Sequence, residues 1–356
     1  MRVIVLLGTN KGAFILESDE RRQDWEIRGP FCEAWPINHI IGNAETGEIF
    51  AAGGHQWAGI GVWKSTDIGQ SWDWSGDGLN YGENGEELAT VWSLARANGK
   101  IYAGVQPAGL FESSDGGINW SHVEGLTNHP TRAQWNPGGA GLTLHHIVTD
   151  PDDAQKLWVG ISSAGVFGTV DGGQTWSPRN RGTRQDFAPD EDRYPEFGQC
   201  VHSLTRTETG VLYQQNHCGT YRSNDGGGNW HSIEAGLPST FGFGVAVHPR
   251  DEDTLWVMPM NGDSIGRYPP EGRAAVWKSV DGGQSWADKR NGLPDQHCYF
   301  TVLRQAMAVD RLETPGVYFG TNSGILYTSA DGGENWQTAA QHLPLIFSVE
   351  TMVLDG

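Results

Sequence analysis

The residues in this chain best suited to chemistry are histidines. Of twelve, His39, His55, His146, His202 and His217, with His145 adjacent, fall by their spacing at one rim of a central channel. Imidazole titrates near neutral pH, so His146 and His202 are candidate general acids or bases. Imidazoles also bind divalent cations, which makes His39, His146 and His202 a candidate metal set at the channel rim. Adjacent strand residues point to opposite sides, so one of His145 and His146 is expected to face the site. The plain alternative is a hydrogen-bonded channel lining satisfied by water.

Loop residues add to this set. Asp192 and Glu196 are candidate paired carboxylates, with Tyr268 as a further proton-transfer group. Arg132, Arg193 and Arg267 are placed to hold a carboxylate or sulfate, since guanidinium binds such groups in a bidentate manner. Arg184, Arg304, Asp186, Asp263 and Tyr299 occur in or beside the same loops, where mutual salt bridging is the competing reading. Seven of the 16 tryptophans belong to a repeat and five more fall inside strands. Trp35, Trp57, Trp92 and Trp135 remain, and exposed rings there would stack on sugars, or else fill the channel mouth. Cys200 and Cys218 flank one unit at this rim, and a nucleophilic cysteine beside His202 or His217 competes with simple burial.

The elements that position these residues are legible in the composition. The 356 residues include 50 Gly and 37 aromatics, which excludes a disordered chain and implies many tight turns. A formal charge of −19, with no Lys/Arg run, argues against nucleic acid and against an anionic membrane as partners. Four cysteines at no metal-like spacing do not make a disulfide framework. The short apolar start, ending at Gly8-Thr9-Asn10, does not read as a signal peptide, so the expected location is cytoplasmic.

A repeat runs through the chain. Ser65-x-Asp67-x-Gly69-x-x-Trp72 recurs around Asp115, Asp171, Asp225, Asp281 and Asp331, with Thr169 replacing Ser once. The aspartates lie 48, 56, 54, 56 and 50 residues apart. A degenerate copy, Phe14 to Asp19 followed by Trp25, makes seven units. Each reads as four short strands; in the unit around Asp171 they are expected at 144–148, 156–160, 165–169 and from 175. The chain opens in a second-type strand, and the missing first strand lies at 347–354. The expectation is therefore one all-β domain over residues 1–356, a seven-bladed β-propeller closed by its C-terminal strand. Identical turns spread around a ring cannot converge on one substrate, so the aspartates are read as structural. Aligning the first strands sets His39, Trp92, His146 and His202 as equivalent positions. The uneven loops 76–89, 125–141, 180–199, 260–274 and 293–300 emerge together on one face, where binding is expected.

With these turns the chain resembles the Asp-box, or BNR-repeat, β-propeller superfamily, which includes sialidases, xyloglucan-acting hydrolases, sortilin-type receptors and photosystem II assembly factors. The resemblance implies a site on the face opposite the boxes. The chain departs from sialidases in lacking their Arg-Ile-Pro and in having seven blades rather than six, and from the xyloglucan enzymes in having one propeller. It implies a carbohydrate-active hydrolase or lyase on an anionic saccharide at the channel rim. The alternatives are a protein-binding scaffold or assembly factor, and a metal-dependent enzyme on a small non-sugar molecule.

Overall fold

Seven repeats of four short strands become seven antiparallel four-stranded sheets arranged as a β-propeller. The computed structural model describes residues 1–55, without the His55 side chain, 59–83, 85–139 and 141–355. Blade five shows the plan: Val201–Arg206 innermost, then Leu212–Asn216, Gly219–Ser223 and the short outer strand His231–Ser232. Blade four holds Leu144–Thr149, Leu157–Ile161 and Gly165–Thr169 close to the expected positions. Its outer strand begins only at Ser177, because the Thr175 N–H is bonded to Asp171 in the turn and is not free for a strand partner.

Blade one is built from both ends of the sequence. Ile346–Leu354 pairs antiparallel with Arg2–Thr9, from Arg2 opposite Leu354 to Thr9 opposite Ile346. Val3 to Leu7 form an unbroken apolar run because neighbouring blades cover both faces of the sheet, and all five are fully buried.

The Ser-x-Asp-x-Gly-x-x-Trp turns join third to fourth strands. In the first, the Ser65 hydroxyl donates to Asp67 Oδ1 at 2.7 Å and accepts the Gly69 N–H at 2.8 Å. Asp67 Oδ1 also accepts the N–H groups of Gln70 and Ser71, both at 2.9 Å. Gly69 sits at φ +80°, open to glycine at no steric cost. Two of the tryptophans bond across to the preceding blade, Trp230 Nε1 donating to Arg179 O and Trp286 Nε1 to Ile233 O, both at 2.7 Å, whereas Trp72 and Trp176 donate within their own turns. In the degenerate copy the turn residue is Arg22, in the left-handed region, and its guanidinium enters blade seven to meet Asp310 at 2.9 Å.

Candidate functional site

A bulge recurs at the loop-side end of the inner strands and decides which side chains meet. The pairing slips between Ile37 and His39, Val91 and Ser93, Leu144 and His146, Val201 and Ser203, and Gly242 and Val245. The unpaired residues are Asn38, Trp92, His145, His202 and the Phe243-Gly244 pair. A bulge re-aims its extra residue, and here these residues form a layer across the channel. Trp92 meets His145 edge-on at 5.2 Å between ring centroids, and His202 meets Phe243 at 4.7 Å. The Arg304 guanidinium lies over Phe243 at 4.9 Å. Gln305 spans from blade seven to blade four, donating to His145 O at 2.9 Å. The expected equivalence of His146 with His202 is thus corrected by one residue: His202 matches His145 and Trp92, whereas His146 matches His39.

His39 and His146 lie in the channel cavity, and His202 does not. Two chambers with shared walls, of about 500 and 390 Å³, are lined from His39, His146, Arg304 and Glu350 to the first-to-second-strand turns at Asn43, Glu208 and Arg311. The channel therefore opens on the face of the aspartate turns, opposite the long loops. Two of its arginines are matched, Arg206 with Asp150 at 3.3 Å and Arg311 with Glu208 at 2.8 Å, and His39 Nε2 faces Glu350 at 3.5 Å. His39 Nδ1 accepts the Leu94 N–H at 2.9 Å, so its other nitrogen carries the proton. That leaves His39 no lone pair for an ion, and the expected His39–His146–His202 metal set does not form.

Burial controls the remaining imidazoles. It pushes His145 and His202 well below the ordinary value, reinforced by the Arg304 charge, and His146 down to about 3. His217 is lowered by the same cause. All four are neutral at pH 7, and His146 is not poised for acid–base work at that pH. His202 Nδ1 lies 2.6 Å from Gly242 O; a carbonyl only accepts, so Nδ1 is the protonated nitrogen and Nε2 carries the lone pair.

On the loop face, His202 instead joins Cys200 and His217. One donor atom from each lies within 4.8 Å of the other two. The His202 and His217 rings are 5.4 Å apart, and Asp263 Oδ2 is 3.9 Å from His217 Nε2. Asp263 also accepts from Arg267 Nε. A second charged group adjoins: Asp186 accepts from Arg184 at 2.9 Å and Arg193 at 2.6 Å, and Arg184 reaches Glu234 at 2.7 Å. Burial raises the Asp186 carboxyl, but the two guanidinium hydrogen bonds outweigh it and hold Asp186 below the usual carboxylate range.

The other expected residues scatter. Asp192 and Glu196 are both exposed on the 180–199 loop. Tyr268 packs edge-on against Tyr299 at 5.1 Å. Arg132 pairs with Glu86 at 3.2 Å and covers the Trp135 ring at 5.2 Å. Trp135 is only 5% exposed, packed on Phe167 with Nε1 bonded to Thr131, so it is a core residue and not a stacking platform. Trp35 is wedged between Trp63 and Trp74 at 5.5 and 5.1 Å. Trp92 belongs to the channel layer. Trp57 lies outside the described residues. Arg193 and Arg267 serve the carboxylates just described.

Among the described residues the exposed aromatics are different ones. Phe187, Tyr194 and Tyr299 are 63–67% exposed, and all three stand on the 180–199 and 293–300 loops. Phe187 meets His217 edge-on at 5.9 Å, placing it beside the Cys–His–His group. Tyr194 and Tyr299 stand out as loop tyrosines in the sequence; Phe187, inside a charged segment, carries no periodic signal there.

No protein-family model matches the chain. A probable oligoxyloglucan-reducing end-specific xyloglucanase from Neosartorya fischeri is 26% identical over 234 residues, which cover 58% of this chain and 27% of the relative. The chain thus spans about a quarter of that relative's length. Among solved structures, the GH74 xyloglucanase from Xanthomonas campestris superposes with a TM-score of 0.65 at 18% identity, over 96% of this chain and 53% of the other. YCF48 from Cyanidioschyzon merolae gives a TM-score of 0.55 at 15% identity, over 85% and 84%. The two structures share the propeller fold.

Proposed function

We propose that this protein is a carbohydrate-active, glycoside-hydrolase-like enzyme of the Asp-box propeller type, working on the long-loop face above blades five to seven. The observation that carries the reading is the confinement of the exposed aromatic rings Phe187, Tyr194 and Tyr299 to that face, around a polar floor. Flat apolar rings beside directional hydrogen-bonding groups suit pyranose rings, which present C–H faces and a hydroxyl rim. The xyloglucanase relative, matched over 58% of this chain, supports a saccharide as the ligand class.

Glycosidic bond cleavage needs two carboxyl groups, a general acid that protonates the leaving oxygen and a carboxylate that acts as base or nucleophile. Asp186, held ionised by Arg184 and Arg193, suits the role of base or nucleophile. Asp263, ion-paired with Arg267 beside His217, is a second candidate for that same role, and the proton for the leaving oxygen must come from a carboxyl that no arginine holds. Arg267 and Arg193 are occupied by these aspartates, so the floor is not a free cationic patch. That favours a neutral saccharide over the anionic one expected from the arginines alone.

The reading is tested by calorimetric titration and reducing-end release with xyloglucan- and cello-oligosaccharides. Tyr299→Ala is expected to weaken binding about tenfold or more, about 1.4 kcal/mol. Asp263→Asn is expected to keep binding and lower turnover by at least about 100-fold. Absence of binding to any oligosaccharide at millimolar concentration, together with capture of extended peptides on the same face, would replace the enzyme with a protein-binding scaffold.

A further inference from the structure

We infer that Cys200, His202 and His217 form a binding site for a thiophilic divalent cation, Zn2+, with a fourth position open to water. The three donor atoms lie within 4.8 Å of one another. Tetrahedral zinc, with bonds of about 2.0–2.3 Å, sets its ligand atoms roughly 3.3–3.7 Å apart, so closure asks each donor to move by about 1 Å or less.

The backbone holds the donors ready. Cys200 and His217 flank the open end of the hairpin formed by Val201–Arg206 and Leu212–Asn216, and the His217 N–H donates to Cys200 O at 2.9 Å. The bulge between Val201 and Ser203 frees His202 from the ladder beside them. Its Nδ1–H is fixed on Gly242 O, which presents Nε2 as a lone-pair donor; an imidazole tethered through its second nitrogen is the usual support of a metal ligand. Asp263 Oδ2 lies 3.9 Å from His217 Nε2, beyond hydrogen-bond distance, and contributes its negative charge beside that ring.

The charges choose the kind of cation. Arg304 and Arg267 lie over the Phe243 ring that packs on His202 and oppose any cation, while Asp263 and a Cys200 thiolate favour one. With charge so nearly matched, affinity has to come from bonds to sulfur and nitrogen. That selects zinc over calcium or magnesium, which need oxygen ligands. This set shares only His202 with the rim histidines expected from the sequence, and it does not depend on the saccharide reading.

The test uses the full chain, stripped with chelator and titrated with Co2+ and then Zn2+. One equivalent of Co2+ is expected, with visible bands of tetrahedral intensity and a thiolate-to-metal charge-transfer band, displaced by Zn2+. Cys200→Ser should remove the charge-transfer band, and His217→Ala should weaken affinity at least about tenfold, with both variants folded by circular dichroism. Binding below about 0.1 equivalent would overturn the inference. So would one equivalent bound without the charge-transfer band, or affinity unchanged in both variants, since the ion would then lie elsewhere.

Discussion

The ion pair between Arg22 and Asp310 closes the seam between blades one and seven, and Asp310→Asn is the perturbation that isolates it. Asp310 is fully buried and Arg22 is 6% exposed. The carboxylate accepts from Arg22 and from the Tyr318 hydroxyl at 2.9 and 2.7 Å, and from the Leu312 and Gly316 N–H groups at 3.0 Å each. Arg22 continues to the Thr314 and Ala330 carbonyls at 3.0 and 2.9 Å. An asparagine keeps one acceptor oxygen, turns an NH2 toward donors and leaves the guanidinium as an uncompensated buried charge. Breaking a buried pair in this way costs about 3–5 kcal/mol. At about 2.1 cal/mol/K per residue the chain unfolds with an entropy of about 0.75 kcal/mol/K, so the melting temperature should fall by about 4–7 °C. Calorimetry on wild type, Asp310→Asn, Arg22→Met and the double variant measures it. Removing Arg22 as well should restore part of the loss, because no charge then remains buried. A shift under about 1 °C in Asp310→Asn, or a double variant as destabilised as the two singles added, would refute the argument.

Two further outcomes follow from the same structure. The carboxyls of Asp67, Asp171 and Asp281 are held at about 2, mainly by hydrogen bonds from the hydroxyl and N–H of the residue four positions on. Lowered carboxylates stabilise fully above their unfolded value near 4, and that contribution is lost as pH falls toward 2; buried neutral His145 and His202 add a loss that begins below about 6.5. Urea midpoints should therefore fall steadily from pH 7 to pH 3, Asp171→Asn should flatten the acid end, and its oligosaccharide affinity at pH 7 should match wild type. A midpoint independent of pH would contradict the assigned protonation states. Trp135→Ala should cost about 3–5 kcal/mol with saccharide binding unchanged, read by denaturant unfolding and calorimetry; selective loss of binding would return Trp135 to the ligand site.

The aspartate turns show why the architecture was readable from residues in order. Ser65, Asp67, Gly69 and Trp72 make most of their hydrogen bonds within a few positions of one another, so the motif carries its own structure. Seven copies, and a first strand found at 347–354, then determine the number of blades and the way the ring closes. The site was not local in this sense. His202 and His146 look equivalent in an alignment, and a one-residue bulge puts His202 in the layer across the channel and His146 in the cavity beside it. Trp135 and Trp35 look available until Phe167, Trp63 and Trp74 are packed against them. Arg193 and Arg267 look free until Asp186 and Asp263 are placed beside them. Repeat and turn chemistry act over a few residues and are written in the sequence. Strand register and the meeting of loops from different blades depend on contacts far apart in the chain, so only the tertiary structure decided which histidines, carboxylates and rings share a site.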